Sequence, residues 1–154
     1  MKKKITYNFP KQYIIPTKTA ANKTYLFDII RKKWVVAQPE EWVRQHFIHF
    51  LLEDRHFPKG RIAVEKLLIV HNLRRRTDIV VYNKKGQAIF LVECKSPTVK
   101  ISQKTFEQIS RYNIALKVPY LVVTNGLQHF SCCINFENST YSYLEDIPFY
   151  QRLL

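Results

Sequence analysis

The sequence predicts an α/β domain of mixed α+β type, with a central mixed β-sheet flanked by helices. Three observations predict it. A helical run over 39–54 is followed by three strand-like runs, a second helical run over about 102–116, and two further strands. Asn83-Lys84-Lys85-Gly86 separates Ile79-Val80-Val81 from Ile89-Phe90-Leu91-Val92. It reads as a hairpin turn in which Gly86 supplies positive φ, so these strands are antiparallel. The strand–helix–strand step from Ala88 to Thr124 is long enough for a right-handed crossover, which joins parallel strands.

Each element has its own signal. Residues 1–24 are polar and basic, with Pro10 and Pro16, and read as an extended N-terminal arm lying on the domain or on a ligand; residues 25–154 read as a single domain. Tyr25 to Ile30 and Trp34 to Ala37 form a small hairpin about Arg31-Lys32-Lys33. Pro39-Glu40-Glu41 opens the first helix, since proline suits the first helical position and acids suit the positive end of the dipole. Val43, Phe47, Phe50 and Leu51 make its apolar stripe, ending near Asp54. Ile62 to Val70 carries apolar residues on both parities and reads as a central strand. Arg74 to Tyr82 and Ala88 to Lys95 are the next two strands, and Ser96-Pro97 stops the second. Pro119 to Thr124, Leu127 to Phe136 and a short run near Thr140–Tyr143 complete the set.

Twenty-five Lys and Arg against 12 Asp and Glu give a net charge of +13. A charge of that size speaks of partners rather than fold, and nucleic acid is the first of them. An anionic membrane ranks lower, because no amphipathic basic helix with a broad apolar face stands out. No apolar run approaches a membrane span, and MKKKITYNFPKQ lacks the apolar core of a signal peptide. The 3 cysteines, two of them adjacent, form neither a disulfide framework nor a zinc spacing, which places the chain in the cytoplasm.

The chemistry concentrates between Arg74 and Pro97. Glu93 and Lys95 lie two apart on one strand and share a face, with Cys94 turned the other way. The hairpin returns Asp78, at the start of the preceding strand, to their side. Two carboxylates and a main-chain carbonyl at a strand end suit Mg²⁺, with Mn²⁺ as the substitute ion, and Lys95 would orient a water or neutralise developing charge. The plainer alternative is a Glu93–Lys95 ion pair, with Asp78 bound to Arg74 or Arg76. Glu41, in the first turn of the first helix, is the candidate third carboxylate, against a surface acid that only answers the helix dipole; Glu40 is its compositional rival, and Glu65 reads as structural or as a support behind the ligands. Gln108 and Tyr112, four apart, share a helix face; alone they read as one surface amide and one core aromatic. Lys2–Lys4, Arg31-Lys32-Lys33 and Arg74-Arg75-Arg76 are the basic clusters, read as solvated turns or as contacts to nucleic acid. His46 and His49 read as ordinary helix residues.

Taken together, Pro39-Glu40-Glu41-x-Val43-Arg44-Gln45, Arg76-Thr77-Asp78-Ile79-Val80, Val92-Glu93-Cys94-Lys95-Ser96-Pro97, Gln108-Ile109-Ser110-Arg111-Tyr112 and Val123-Thr124-Asn125-Gly126 resemble the PD-(D/E)XK nuclease superfamily. More narrowly they resemble the N-terminal nuclease domain of type I restriction enzyme R subunits, over roughly residues 38–130. The resemblance implies a restriction-endonuclease-like fold and magnesium-dependent cleavage of DNA. It implies a central triad of Asp78, Glu93 and Lys95, a helix acid matched by Glu41, and a Gln108/Tyr112 pair beside the site. The charge clusters themselves suggest Arg74, Arg75, Arg76, Lys32 and Lys33 as contacts to DNA, since Arg74–Arg76 leads straight into Asp78. Thr77 stands where the family has proline. The sequence has no P-loop, so the resemblance implies a nuclease domain without a helicase motor. Restriction-system or helicase subunits are its expected partners, and a dimer is the form suited to double-strand cutting. The alternative is a catalytically silent nucleic-acid-binding module or an accessory subunit of a defence or repair complex.

Overall fold

A computed structural model describes residues 4–154; Lys2 and Lys3 of the first basic cluster lie outside the described residues. Strands β1 (Thr17–Ala20), β2 (Lys23–Asp28) and β3 (Lys33–Val36) form a small antiparallel sheet. Helix α1 (Pro39–Asp54) follows. Strands β4 (Ile62–Val70), β5 (Leu73–Tyr82) and β6 (Ala88–Cys94) are antiparallel neighbours. Helix α2 (Gln103–Ile114) crosses to β7 (Tyr120–Thr124), which lies parallel to β6. Strands β8 (His129–Asn135) and β9 (Thr140–Tyr143) close a six-stranded mixed sheet in the order β4-β5-β6-β7-β8-β9.

Two apolar layers hold α1 and α2 to opposite faces of this sheet. Val43, Phe47 and Leu51 of α1 pack on Ile79, Val81, Phe90 and Val92. Phe106 and Leu116 pack on Val80, Leu91, Leu121 and Val123. Successive residues of β5 and β6 feed alternate layers, as the two-residue period of a strand requires. The Ser102 side chain caps α2 by accepting from the Thr105 N–H at 3.2 Å. Between β5 and β6 the Asn83 side chain accepts from the Lys85 and Gln87 N–H groups, and Gly86 takes φ +75°.

Three expectations are corrected. The arm does not run to residue 24: Thr17–Ala20 pairs with β2, and Tyr7, Tyr13 and Ile15 are buried. The strand was hidden because all four of its residues are exposed, so it has no alternating apolar pattern. Strand β4 is an edge strand rather than a central one. Its two apolar parities have separate fates: Leu68 and Val70 pack in the α2 layer, while Leu67 and Ile69 stay exposed on a ribbon that outruns β6. Tyr112 is 42% exposed rather than in the core.

That ribbon matters for the site. β4 and β5 pair from one end to the other except at Glu65 and Asp78, where Glu65 has φ +52°. Below the break Ile79 and Val81 face α1; above it Leu73, of the same parity, packs in the α2 layer. The strand therefore changes face at Asp78.

Candidate active site

Asp78 sits one step beyond the last β5–β6 pair, Ile79 with Val92, so the register sets it opposite Glu93. Its Oδ2 accepts from the Cys94 N–H at 2.8 Å, which pins the carboxylate to the end of β6. Glu93 is buried, and burial first, then the Asp78 charge, push its pKa above the ordinary carboxyl range; a side-chain hydrogen bond with Asp78 adds to this and Arg75 offsets part of it. Glu40 shows the same direction, from burial and then the charge of Asp78, with Arg44 and Lys95 opposing. Lys95 prolongs the strand ladder through its N–H to the Thr124 carbonyl at 2.7 Å, and among the described residues its ammonium makes no ion pair. Cys94, between the two, is buried in the α1 layer.

Arginines occupy the spaces between the acids. Arg44 of α1, 5% exposed, donates to Asp78 Oδ1 at 2.8 Å and Glu41 Oε2 at 2.5 Å, and its Nη1 reaches Glu65 Oε1 at 3.4 Å. Burial alone would lower its pKa, but the Glu41 and Asp78 carboxylates raise it, so the charge is locked in. Arg31, between β2 and β3, joins Asp28, Glu41 at 2.9 Å and Glu65 at 3.0 Å. Burial would raise the Asp28 pKa, yet the Arg31 N–H and guanidinium hold it below the usual range. Arg75 donates to Glu93, and its guanidinium lies 4.4 Å from the centre of the Tyr112 ring. The residue Glu93 pairs with is thus Arg75, not Lys95, and Asp78 pairs with Arg44, not Arg74 or Arg76.

The structure accordingly brings Asp78 and Glu93 together, with Lys95 continuing the same strand end. It places Tyr112 at the site through Arg75, and Gln108, exposed, one turn earlier on the same helix face. Glu41 is not brought to the pair: Arg44 stands between, and Gln45 also donates to Glu41 at 3.0 Å. Arg74 and Arg76 are exposed on the β4–β5 ribbon, and Lys32 and Lys33 lie around the β2–β3 turn. Among the described residues no three acid, imidazole or thiol groups converge on one point. The candidate donor set for a hard divalent ion is therefore the Asp78–Glu93 pair, opposite one another on β5 and β6, with Arg44 and Arg75 as their present counter-charges. A cleft of about 440 Å³ adjoins it, lined by Gln38, Glu40, Glu41, Arg44, Glu65 and Ser96 among others.

The family described as Type I restriction enzyme R protein N terminus (HSDR_N) matches residues 39–148, from the start of α1 past β9. The chain belongs to this family. A solved structure described as a fragment of an HsdR subunit of a type I restriction enzyme from Vibrio vulnificus YJ016 shares the fold, with a TM-score of 0.50 at 15% identity over 74% of this chain. The present chain spans 25% of the length of that fragment. No curated protein matches the sequence. The family match takes in Glu41, Asp78, Glu93, Lys95, Gln108 and Tyr112 alike, while β1 to β3 precede it.

Arg44 and Arg75 were absent from the sequence account as partners of the acids. Arg44 had a local signal: three residues after Glu41 on a helix, it shares that acid's face. Arg75 had none, because strand parity does not foresee the change of face at Asp78.

Proposed function

We propose that this chain is a Mg²⁺-dependent DNA endonuclease domain that serves a restriction system, with Asp78, Glu93 and Lys95 as its catalytic group. The observation that carries the reading is the register that sets Asp78, midway along β5, opposite Glu93 near the end of β6, with Lys95 two residues further on. Asp78 and Glu93 would hold the ion, with Mn²⁺ as the substitute. Glu41 joins them as a third oxygen donor only when Arg44 gives way. A bound Mg²⁺ supplies charge neutralisation at a phosphate and a more acidic water.

The remaining work belongs to side chains of this protein. Lys95, unpaired among the described residues, orients the attacking water and offsets charge that develops on the phosphate. With an ion held by Glu93, Arg75 would be released to bind a phosphate oxygen, and the Tyr112 ring beneath its guanidinium would hold it at the site. Gln108 lies on the same helix face and contacts the scissile strand. Arg74, Arg76, Lys32 and Lys33 hold the flanking phosphates, a sequence-independent and salt-sensitive contribution. Other restriction-system subunits supply the motor and the target choice, and two copies cut the two strands of a duplex.

The test is nicking of supercoiled plasmid with Mg²⁺ or Mn²⁺. Wild type is expected to nick, and Asp78→Ala and Lys95→Ala to lose about 10²-fold or more, with Lys95→Ala melting as wild type does. Nicking that survives both substitutions sinks these roles. Salt-sensitive DNA binding without nicking under either ion identifies a silent binding module instead.

A further inference from the structure

The small β1-β2-β3 sheet precedes the region matched by the family, and none of Asp78, Glu93 and Lys95 belongs to it. Its two faces differ. Leu26 and Asp28 point inward and are fully buried. By register Lys18 lies beside Tyr25, Tyr25 beside Val36, and Phe27 beside Trp34, so these residues share the opposite face, and Lys23 joins them by parity. None of the aromatic residues on this face belongs to either core layer. Trp34 is 38% exposed, its ring meets Phe27 edge to face at 5.3 Å, and the Lys18 ammonium lies 4.6 Å above it.

From Thr17 to Val36 the sole acid is Asp28, buried on the other face and bound by Arg31, so the aromatic face carries Lys18 and Lys23 and no acid. Lys32 and Lys33 add charge at one end. At the other, β3 leads through Gln38 into the cleft that holds Glu40. A duplex hides its base faces in the stack and has no use for an aromatic ledge. An unpaired strand exposes bases that stack on aromatic rings and phosphates that seek lysine.

We infer that the Tyr25/Phe27/Trp34 face is a binding platform for single-stranded nucleic acid. A base stacks on Trp34 in the place of the Lys18 ammonium, which turns to the neighbouring phosphate. Stacking is tolerant of base identity, so the platform grips unpaired strands of any sequence and leads them toward the cleft. Binding here does not depend on cleavage.

The experiment uses the full chain in EDTA, which removes the cleavage reaction, and a fluorescein-labelled oligo(dT) of about ten nucleotides, a length within one aromatic-platform site. In a Trp42→Phe background Trp34 is the sole tryptophan, and its emission is expected to be quenched as oligo(dT) binds. Trp34→Ala is expected to weaken oligo(dT) binding about five- to a hundred-fold, while affinity for a blunt duplex and the melting temperature stay as in wild type. Unquenched Trp34 emission at saturation overturns the platform, and this readout leaves Trp34 in place. Equal loss of duplex and oligo(dT) affinity in Trp34→Ala also overturns it. Quenching by oligo(dT) in a protein that never nicks plasmid supports the platform and refutes the cleavage reading alone.

Discussion

Replacing Arg44 with methionine removes the cation that lies between α1 and the Asp78–Glu93 pair while keeping most of the side chain's length. Arg44 is 5% exposed and bonded to Asp78 at 2.8 Å and Glu41 at 2.5 Å. Glu41 retains Arg31 at 2.9 Å and Gln45 at 3.0 Å, so it keeps a counter-charge. Glu65, whose side chain is 38% exposed, is screened by solvent and contributes little. Glu40, 3.8 Å from Arg44 and with a side chain 46% exposed, is screened in the same way, which leaves Asp78 as the one shielded carboxylate that loses its cation. Removing one partner of a buried ion pair costs about 3–5 kcal/mol, and a domain of this size melts roughly 2–4 °C lower per kcal/mol. Arg44→Met should therefore melt about 6–20 °C below wild type in EDTA, followed by circular dichroism. A divalent ion at the orphaned carboxylate restores charge balance, so Mg²⁺ at about 100 times its Kd would return about 2.7 kcal/mol. The Mg²⁺-induced rise should be larger in Arg44→Met than in wild type. Melting within a degree of wild type in EDTA, or an equal Mg²⁺ shift in both proteins, refutes Arg44 as the resident counter-charge of the site.

Two further outcomes follow from the same geometry. Burial first, and the Asp78 charge second, raise the Glu93 pKa in the folded state. Its protonated form thus contributes stability that is full below about pH 4.3, the unfolded value, and is lost as pH rises through the raised one. Cation binding runs the opposite way, because proton and ion compete for one carboxylate: the Mg²⁺-induced melting shift should shrink between pH 7.5 and pH 5 and be absent in Glu93→Gln at both. A shift of equal size at the two pH values counts against Glu93 as a ligand. At Gly126, φ is +84° and an added Cβ would stand 2.6 Å from Tyr7 Cδ1 and 3.2 Å from Val43 Cγ2. Gly126→Ala should lose about 1–3 kcal/mol, and unchanged melting would show that the Tyr7 segment is not seated there.

The elements with strong local codes were legible in the sequence. Pro39 and two acids announce α1, and Pro39–Asp54 is the helix observed. Asn83–Gly86 announces the hairpin that returns Asp78 to the side of Glu93 and Lys95, but the register that sets Asp78 opposite Glu93 rather than Val92 comes from an irregularity between Val81 and Tyr82 that the turn does not encode. What stayed hidden depends on tertiary placement. Strand β1 buries nothing and is held by pairing alone. The edge position of β4 is set by the absence of a neighbour, which no run of apolar residues encodes. The arginine partners of the acids come from three distant places, at 31, 44 and 75, and only Arg44 had a helical spacing to betray it.

The break at Glu65 and Asp78 divides the β4–β5 pair into two mechanical parts. Below it, β5 is hydrogen-bonded on both sides and clamped between two apolar layers; above it, a two-stranded ribbon ends in His71 and Asn72, both at positive φ. Amide protons of the ribbon should exchange with solvent well before those of Ile79 to Val81, since local opening costs least where a ladder has one partner. Arg75 rides on the ribbon and Glu93 is fixed in the sheet, so each excursion of the ribbon parts them. The fold thereby sets the lifetime of the bond that covers its own carboxylate, and on the proposed function a strand of nucleic acid held by Arg74 and Arg76 would shorten it.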